Sequence, residues 1–364
     1  MPLKKNHKII ITVVVLILFL IGFGAYKGRV VEDVPSATLA SFNSQNEATH
    51  NGKPLHIIKT YTRKDCGLAP WLVTDRLGYF AEEGVKLIFT GEIQPPQVVP
   101  SILNGNNDVN DFHPNALAVA VNGGAKIKGV VRAGVEPSPE LDPSFRHMWW
   151  FVNPEKYPNV KTFADLKNIP GTLKFSIIST TQCSDFLANL ILDRYGIPRD
   201  KVEWVTMPDV QAVQALKQGH IDVGGVHPPF YKGMVDAGQY KIGDSSDANL
   251  PVGVAGLGYY FFTEDFIRNN HEAVKGFARA IIRGHRWINA NPEQARLWTQ
   301  ESIGIPVSAN HYLAENLQIN EADIQPWLDD LEYQEAIPRG KLKPSDLVVH
   351  DFETYELADA SPGY

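Results

Sequence analysis

Two cysteines occur among the 364 residues, Cys66 and Cys183, and each is followed at a similar distance by a His-Pro pair. Cys66 precedes His113-Pro114 by 47 positions, and Cys183 precedes His227-Pro228 by 44. Thiolate and imidazole are ligands for zinc, copper(I) and softer metal or organometal cations. The near-repeat suggests one architectural unit used twice. If the copies face each other, Cys66, His113, Cys183 and His227 meet in one cleft. A Cys2His2 set drawn equally from two halves would couple binding to closure, because neither half alone completes a tetrahedral shell. Each cysteine also has a plainer reading as a small buried hydrophobe. A Cys66–Cys183 disulfide would staple the halves shut, against any cycle of capture and release. Each histidine has the alternative of a local hydrogen bond at a strand end.

Other side chains could line the same cleft. Ser179, Thr180, Thr181 and Ser184 stand at the start of a helix expected near Asp185. Free backbone N–H groups there attract anions. Arg63 and Lys64 lie beside Cys66, where they would depress its pKa or pair with an anion. Among Trp71, Trp149, Trp150, Tyr259 and Tyr260, Trp71 is the best placed for a cleft wall, with core packing the alternative for the other four.

The elements that must position these groups are short. From Leu55 onward, apolar runs alternate with helical segments, the signature of βα units and a mostly parallel sheet. The first series holds a strand Leu55 to Tyr61, a helix through Trp71, Leu72, Leu77 and Phe80 ended by Gly84, a strand Lys86 to Thr90, and an alanine-rich helix after His113-Pro114. A second series follows the Pro-rich stretch Glu136 to Pro143 and repeats that order, with strands at Leu173 to Ile178, Val202 to Thr206 and Ile221 to Val223. Gly256 to Phe262 reads as a strand that crosses back. His271 to Asn291 then carries Val274, Phe277, Ala278, Ile281, Ile282, His285 and Ile288 at helical spacing, a core-covering face.

With 44 % hydrophobic and 21 % charged residues, the chain can bury one or two ordinary cores. A net charge of −7 and no basic stripe argue against nucleic acid as a partner. At the N-terminus Lys4, Lys5 and Lys8 precede 18 uncharged residues, Ile9 to Tyr26. As a helix they would be about 27 Å long, enough to span a bilayer as an anchor. A removable secretory signal is the competing reading. Either implies export. The expected division is a membrane anchor or signal over 1–29, a flexible linker over 30–54, the first part of lobe one over 55–150, lobe two over 151–250, and the completion of lobe one with C-terminal helices over 251–364.

Four short motifs carry a resemblance. Leu77-Gly78-Tyr79-Phe80-Ala81-Glu82-Glu83-Gly84, Thr162-Phe163-Ala164-Asp165-Leu166-Lys167, the run Gln214 to Asp222 and the run Trp287 to Ala295 fall in the order found in periplasmic solute-binding proteins of the nitrate, sulfonate, taurine and thiamine-precursor group. The chain resembles that group over about residues 55 to 300. The resemblance implies a type II periplasmic-binding fold, with two Rossmann-like α/β lobes joined by two crossovers and a ligand caught between them. It also implies an ABC permease and ATPase as partners, a location outside the cytoplasmic membrane, and no catalysis. The site residues expected on this basis are Cys66, Trp71, His113, Thr180, Thr181, Cys183 and His227, with no cofactor required and a soft metal or organometal as one candidate ligand. The thiols and imidazoles depart from the small polar residues that most relatives offer. The alternatives are a nitrate-, sulfonate- or taurine-type anion or a thiamine precursor with no metal, and a pyrimidine-synthase-like enzyme, against which stand the lack of clustered cysteines and the export signal.

Overall fold

The alternation of strands and helices resolves, in a computed structural model of the chain, into two α/β lobes, one built on a two-stranded and a three-stranded sheet and the other on a five-stranded sheet. The structure describes residues 49–65, 67–93 and 97–353. The expected anchor or signal over 1–29, most of the linker and Cys66 lie outside the described residues. Among those described, no helix is long and apolar enough to cross a membrane. The end of the expected linker is ordered as a small hairpin, β1 (Thr49–His50) with β2 (Lys53–Pro54).

In lobe one, β3 (His56–Thr62) leads into α1 (Leu68–Arg76) and α2 (Tyr79–Glu82). The sequence pattern suggests one helix here, but Gly78 adopts φ +77° and breaks it in two. Only glycine takes that conformation without a Cβ penalty. Next, β4 (Val85–Glu92) pairs in parallel with β3, and α3 (Val98–Leu103) follows. Then β5 (Asn110–Phe112) delivers the chain to His113, whose extended backbone precedes Pro114 at the first turn of α4 (Pro114–Asn122). Proline suits that position because its missing N–H would have no helical partner. After α4, β6 (Ile127–Arg132) ends the first pass through this lobe.

Lobe two begins with β7 (Trp149–Val152). It continues through β8 (Leu173–Ile177), α5 (Cys183–Arg194), β9 (Val202–Thr206), α6 (Asp209–Lys217), β10 (Val223–Val226), α7 (Tyr231–Asp236) and β11 (Tyr240–Asp244). The sheet order is β11-β7-β10-β8-β9, with β8 parallel to both neighbours and β7 antiparallel to its own. All four residues of the central β10 are buried, as expected for a strand covered on both faces. The chain then returns through β12 (Tyr259–Thr263), which lies antiparallel between β5 and β6. Behind it come α8 (Glu264–Asn269), α9 (His271–Ala290), α10 (Pro292–Ile303) and α11 (Gln325–Tyr333). The apolar face read from α9 is buried, His285 included.

Between the lobes three extended segments run side by side. Ala133 N–H donates to Gly258 O (2.7 Å), Gly258 N–H to Gly134 O (3.1 Å), Ala314 N–H to Ala133 O (2.9 Å) and Val135 N–H to Tyr312 O (3.0 Å). Both crossovers and the segment after α10 thus share one hydrogen-bonded layer at the floor of the cleft.

Candidate functional site: a buried cysteine–histidine cluster

The carboxyl ends of β3, β5, β8, β9 and β10 open onto a cavity of about 1050 Å³ lined by both lobes. This is where open α/β sheets place their ligands. At its base, Cys183, His113, His147, His227 and His311 converge.

Cys183 is the first residue of α5, so its position is fixed by how that helix starts. Gln182 caps the helix reciprocally with Asp185, whose carboxylate accepts from Thr181 N–H (2.9 Å) and Gln182 N–H (2.8 Å). The thiol is buried at 3 % exposure. Its Sγ lies 3.2 Å from Nε2 of His227, which sits at the end of the neighbouring strand β10. Nδ1 of His227 is 2.7 Å from Oδ2 of Asp209, and the same oxygen accepts His227 N–H at 2.9 Å. A carboxylate only accepts, so Nδ1 carries a proton and Nε2 is the nitrogen that faces Cys183. His113 is set the same way from lobe one. Its Nδ1 donates to Leu257 O at 2.7 Å, and its ring stacks on Trp327 of α11.

His147 and His311 come from the floor. The His147 backbone N–H is shared between Ser245 Oγ (3.0 Å) and Glu136 Oε2 (3.2 Å). Gly256 lies so close to the ring that a Cβ there would stand 2.7 Å from Nδ1. His311 stacks on His147 with centroids 4.4 Å apart. Neither ring nitrogen of His147 has a hydrogen-bond partner, nor does Nδ1 of His311. Leaving buried polar atoms unsatisfied costs about 1–3 kcal/mol each. That cost is recovered if an ion takes them up.

The electrostatics favour ligation. Burial opposes ionisation of the Cys183 thiol, but His113, His227 and His147 outweigh it and hold its pKa well below the ordinary value. Burial pushes His147 down to about 4, and His311 well below its usual range. Both are therefore neutral and able to donate a lone pair near pH 7. For His113 burial acts downward, yet the Cys183 thiolate raises the net value. The donor atoms of His113, His147 and Cys183 all lie within 4.8 Å of one another, as do those of His147, His227 and His311.

The profile of the NMT1/THI5 like family matches residues 66–295. The chain belongs to that family. No curated protein sequence matches it. Among solved structures it is similar to the ligand-binding component of an ABC-type import system from Staphylococcus aureus with zinc bound, at 12 % identity and a TM-score of 0.63, over 82 % of this chain and 98 % of that one. It is also similar to the aliphatic sulphonate-binding protein SsuA from Escherichia coli, at 16 % identity and TM-score 0.60, over 81 % and 92 %. The nitrate-binding protein NrtA from Synechocystis follows at 13 % and 0.64, over 79 % and 83 %. These likenesses establish the periplasmic-binding fold.

Of the residues singled out in the sequence, His113, Cys183 and His227 come together in the cluster, and Thr180 and Thr181 line the cavity above it. Cys183 opens a helix instead of sitting in the loop before one. Trp71 is a correction: it does not line the cavity but packs in the core of lobe one against Tyr260 and Phe277, with ring centroids at 5.1 and 5.7 Å. At the anion site expected near the start of α5, the N–H groups of Thr181 and Gln182 are taken by the chain's own Asp185 carboxylate. Arg63 lines the cavity with its guanidinium already paired to Asp65 and Asp111. His147 and His311 escape the sequence reading because neither stands at a strand end, before a proline or at a repeated spacing. The one available cue for His147 is its place directly after the Pro-rich crossover, which has to pass beneath the cleft.

Proposed function

We propose that this protein is the extracytoplasmic receptor of an ABC importer and that its cargo is a soft metal ion or organometal cation ligated by Cys183 and the surrounding imidazoles. Family membership and fold support the receptor role. Its partners are then a permease and an ATPase, it works on the outer face of the cytoplasmic membrane, and it performs no catalysis. The observation that carries the cargo assignment is the cluster itself: one thiol and four imidazoles in a buried pocket, two of them lacking hydrogen-bond partners for ring nitrogens. Soft thiolate with imidazole selects copper(I), zinc and similar ions. A nitrate or sulfonate is poorly served, because the Arg63 guanidinium and the N–H groups of Thr181 and Gln182 before α5 are taken by carboxylates of the chain.

The test is anaerobic purification, stripping with a chelator, and native mass spectrometry after addition of Zn(II) or Cu(I). One ion per chain, lost after thiol alkylation and weakened about 100-fold or more in Cys183→Ser, is the expected result. A small bound anion indifferent to alkylation, with no metal uptake, overturns the cargo assignment.

A further inference from the structure

The five ligands do not form one shell but two overlapping triads. His113, His147 and Cys183 make one, and His147, His227 and His311 the other, each with donor atoms within 4.8 Å of one another. His147 belongs to both, and both of its ring nitrogens are buried without a hydrogen-bond partner. The triads touch a second time where Cys183 Sγ meets His227 Nε2 at 3.2 Å.

Two ions cannot occupy both triads together. A neutral imidazole has one lone pair, its other nitrogen carrying the proton, so His147 ligates one ion at a time. Occupancy is therefore single, and the two triads are alternative positions for the same ion.

They differ in softness and in what packs against them. The position with Cys183 offers the thiolate, and Trp327, itself fully buried, closes that end by stacking on both His113 and Phe186 of α5, at 5.3 and 3.9 Å. The other position is all imidazole, and each position has one partly buried histidine, His113 in the first and His311 in the second. Resting on the metal-cargo reading above, we infer that His147, His227 and His311 form an entry position for a divalent metal, which passes by exchange of ligands around His147 to a holding position at His113, His147 and Cys183. In the transfer the bonds to His311 and His227 are given up and those to Cys183 and His113 form, and the proton shared between Cys183 and its neighbouring imidazoles leaves to solvent.

Co(II) is a suitable probe, since tetrahedral d–d bands report ligation and a thiolate-to-cobalt charge-transfer band reports ligation by cysteine, assigned to Cys183 by its loss in Cys183→Ser. On rapid mixing of Co(II) with the stripped protein under anaerobic conditions, the d–d absorption rises first and the charge-transfer band follows in a slower phase, ending at one cobalt per chain. His311→Ala and His311→Gln slow capture about tenfold or more and reach the same final spectrum, with a loss of equilibrium affinity smaller than that of His113→Ala. Cys183→Ser keeps the first phase, loses the charge-transfer band and binds about 100-fold more weakly. Two cobalt ions per chain, simultaneous appearance of both bands, or a loss of equilibrium affinity in the His311 variants as large as in His113→Ala overturns the two-position inference and leaves the cargo assignment standing. Absence of cobalt, zinc and copper binding in the wild-type chain overturns both.

Discussion

Asp209 touches the cluster only through His227, yet it governs what that imidazole can do. Its carboxylate, buried at 4 % exposure, fixes both the ring proton and the backbone of His227. A carboxylate behind a ligating histidine raises its basicity and holds its orientation. Asp209→Asn keeps the size but offers a neutral partner whose amide can turn a donor towards Nδ1, so metal affinity should fall by about 10–100-fold. Competition against a chelator of known strength reads this, with thermal unfolding of the stripped protein as the control for folding. An unchanged affinity would remove Asp209 from the site. The link between Cys183 and His227 was visible in the sequence for a physical reason: a separation of 44 residues is two strand-and-helix steps, which brings the chain back to the strand next door, β10 beside β8. His147 and His311 obey no such step, because they sit on connections whose path depends on the packing of both lobes.

The long helix α9 shows how an element can carry a pH dependence far from the chemistry. Its periodic apolar face was legible because one side of a 3.6-residue repeat must be buried. What periodicity could not reveal is that His285, in the middle of that face, is fully satisfied as a neutral ring. Nδ1 donates to Ala314 O at 2.8 Å and Nε2 accepts from Tyr260 Oη–H at 3.0 Å. Burial lowers its pKa to about 4. A base depressed in the folded state contributes stability that is complete above its unfolded value of about 6.5 and is lost as pH falls from there towards 4, by about 3 kcal/mol in all. In urea unfolding of the metal-free protein, the stability of wild type minus that of His285→Gln should therefore shrink by about that amount between pH 7 and pH 4. A pH-independent difference would show that His285 does not remain neutral. The start of α5 was less legible than the face of α9. The start was expected near Asp185, whereas the helix begins at Cys183 with Gln182 as its cap, a residue outside the usual capping set of serine, threonine, aspartate and asparagine.

Across the whole molecule, the decisive property of the cluster is where its members come from. His113 belongs to lobe one, Cys183 and His227 to lobe two, and His147 and His311 to the layer of crossovers that joins them. The two lobes were readable from the repeated βα order. Their meeting was not, because it depends on contacts such as Asn115 Nδ2–H to Gln182 O at 2.8 Å, between α4 and the cap of α5. An ion held by His113 and Cys183 bridges both bodies and should damp opening of each. Ligand at 100 times its Kd stabilises a folded state by about 2.7 kcal/mol, so amides that exchange only through opening should slow by about 100-fold. Hydrogen exchange with and without Zn(II) should show this protection in α4 and α5 together. In His113→Ala it should persist in α5, where Cys183 and His227 remain, and disappear from α4. Cys183→Ser should lose it in both. Protection of α4 that survives the loss of His113 would mean that metal does not bridge the lobes, and that closure, if it occurs, is driven by other contacts across the cleft.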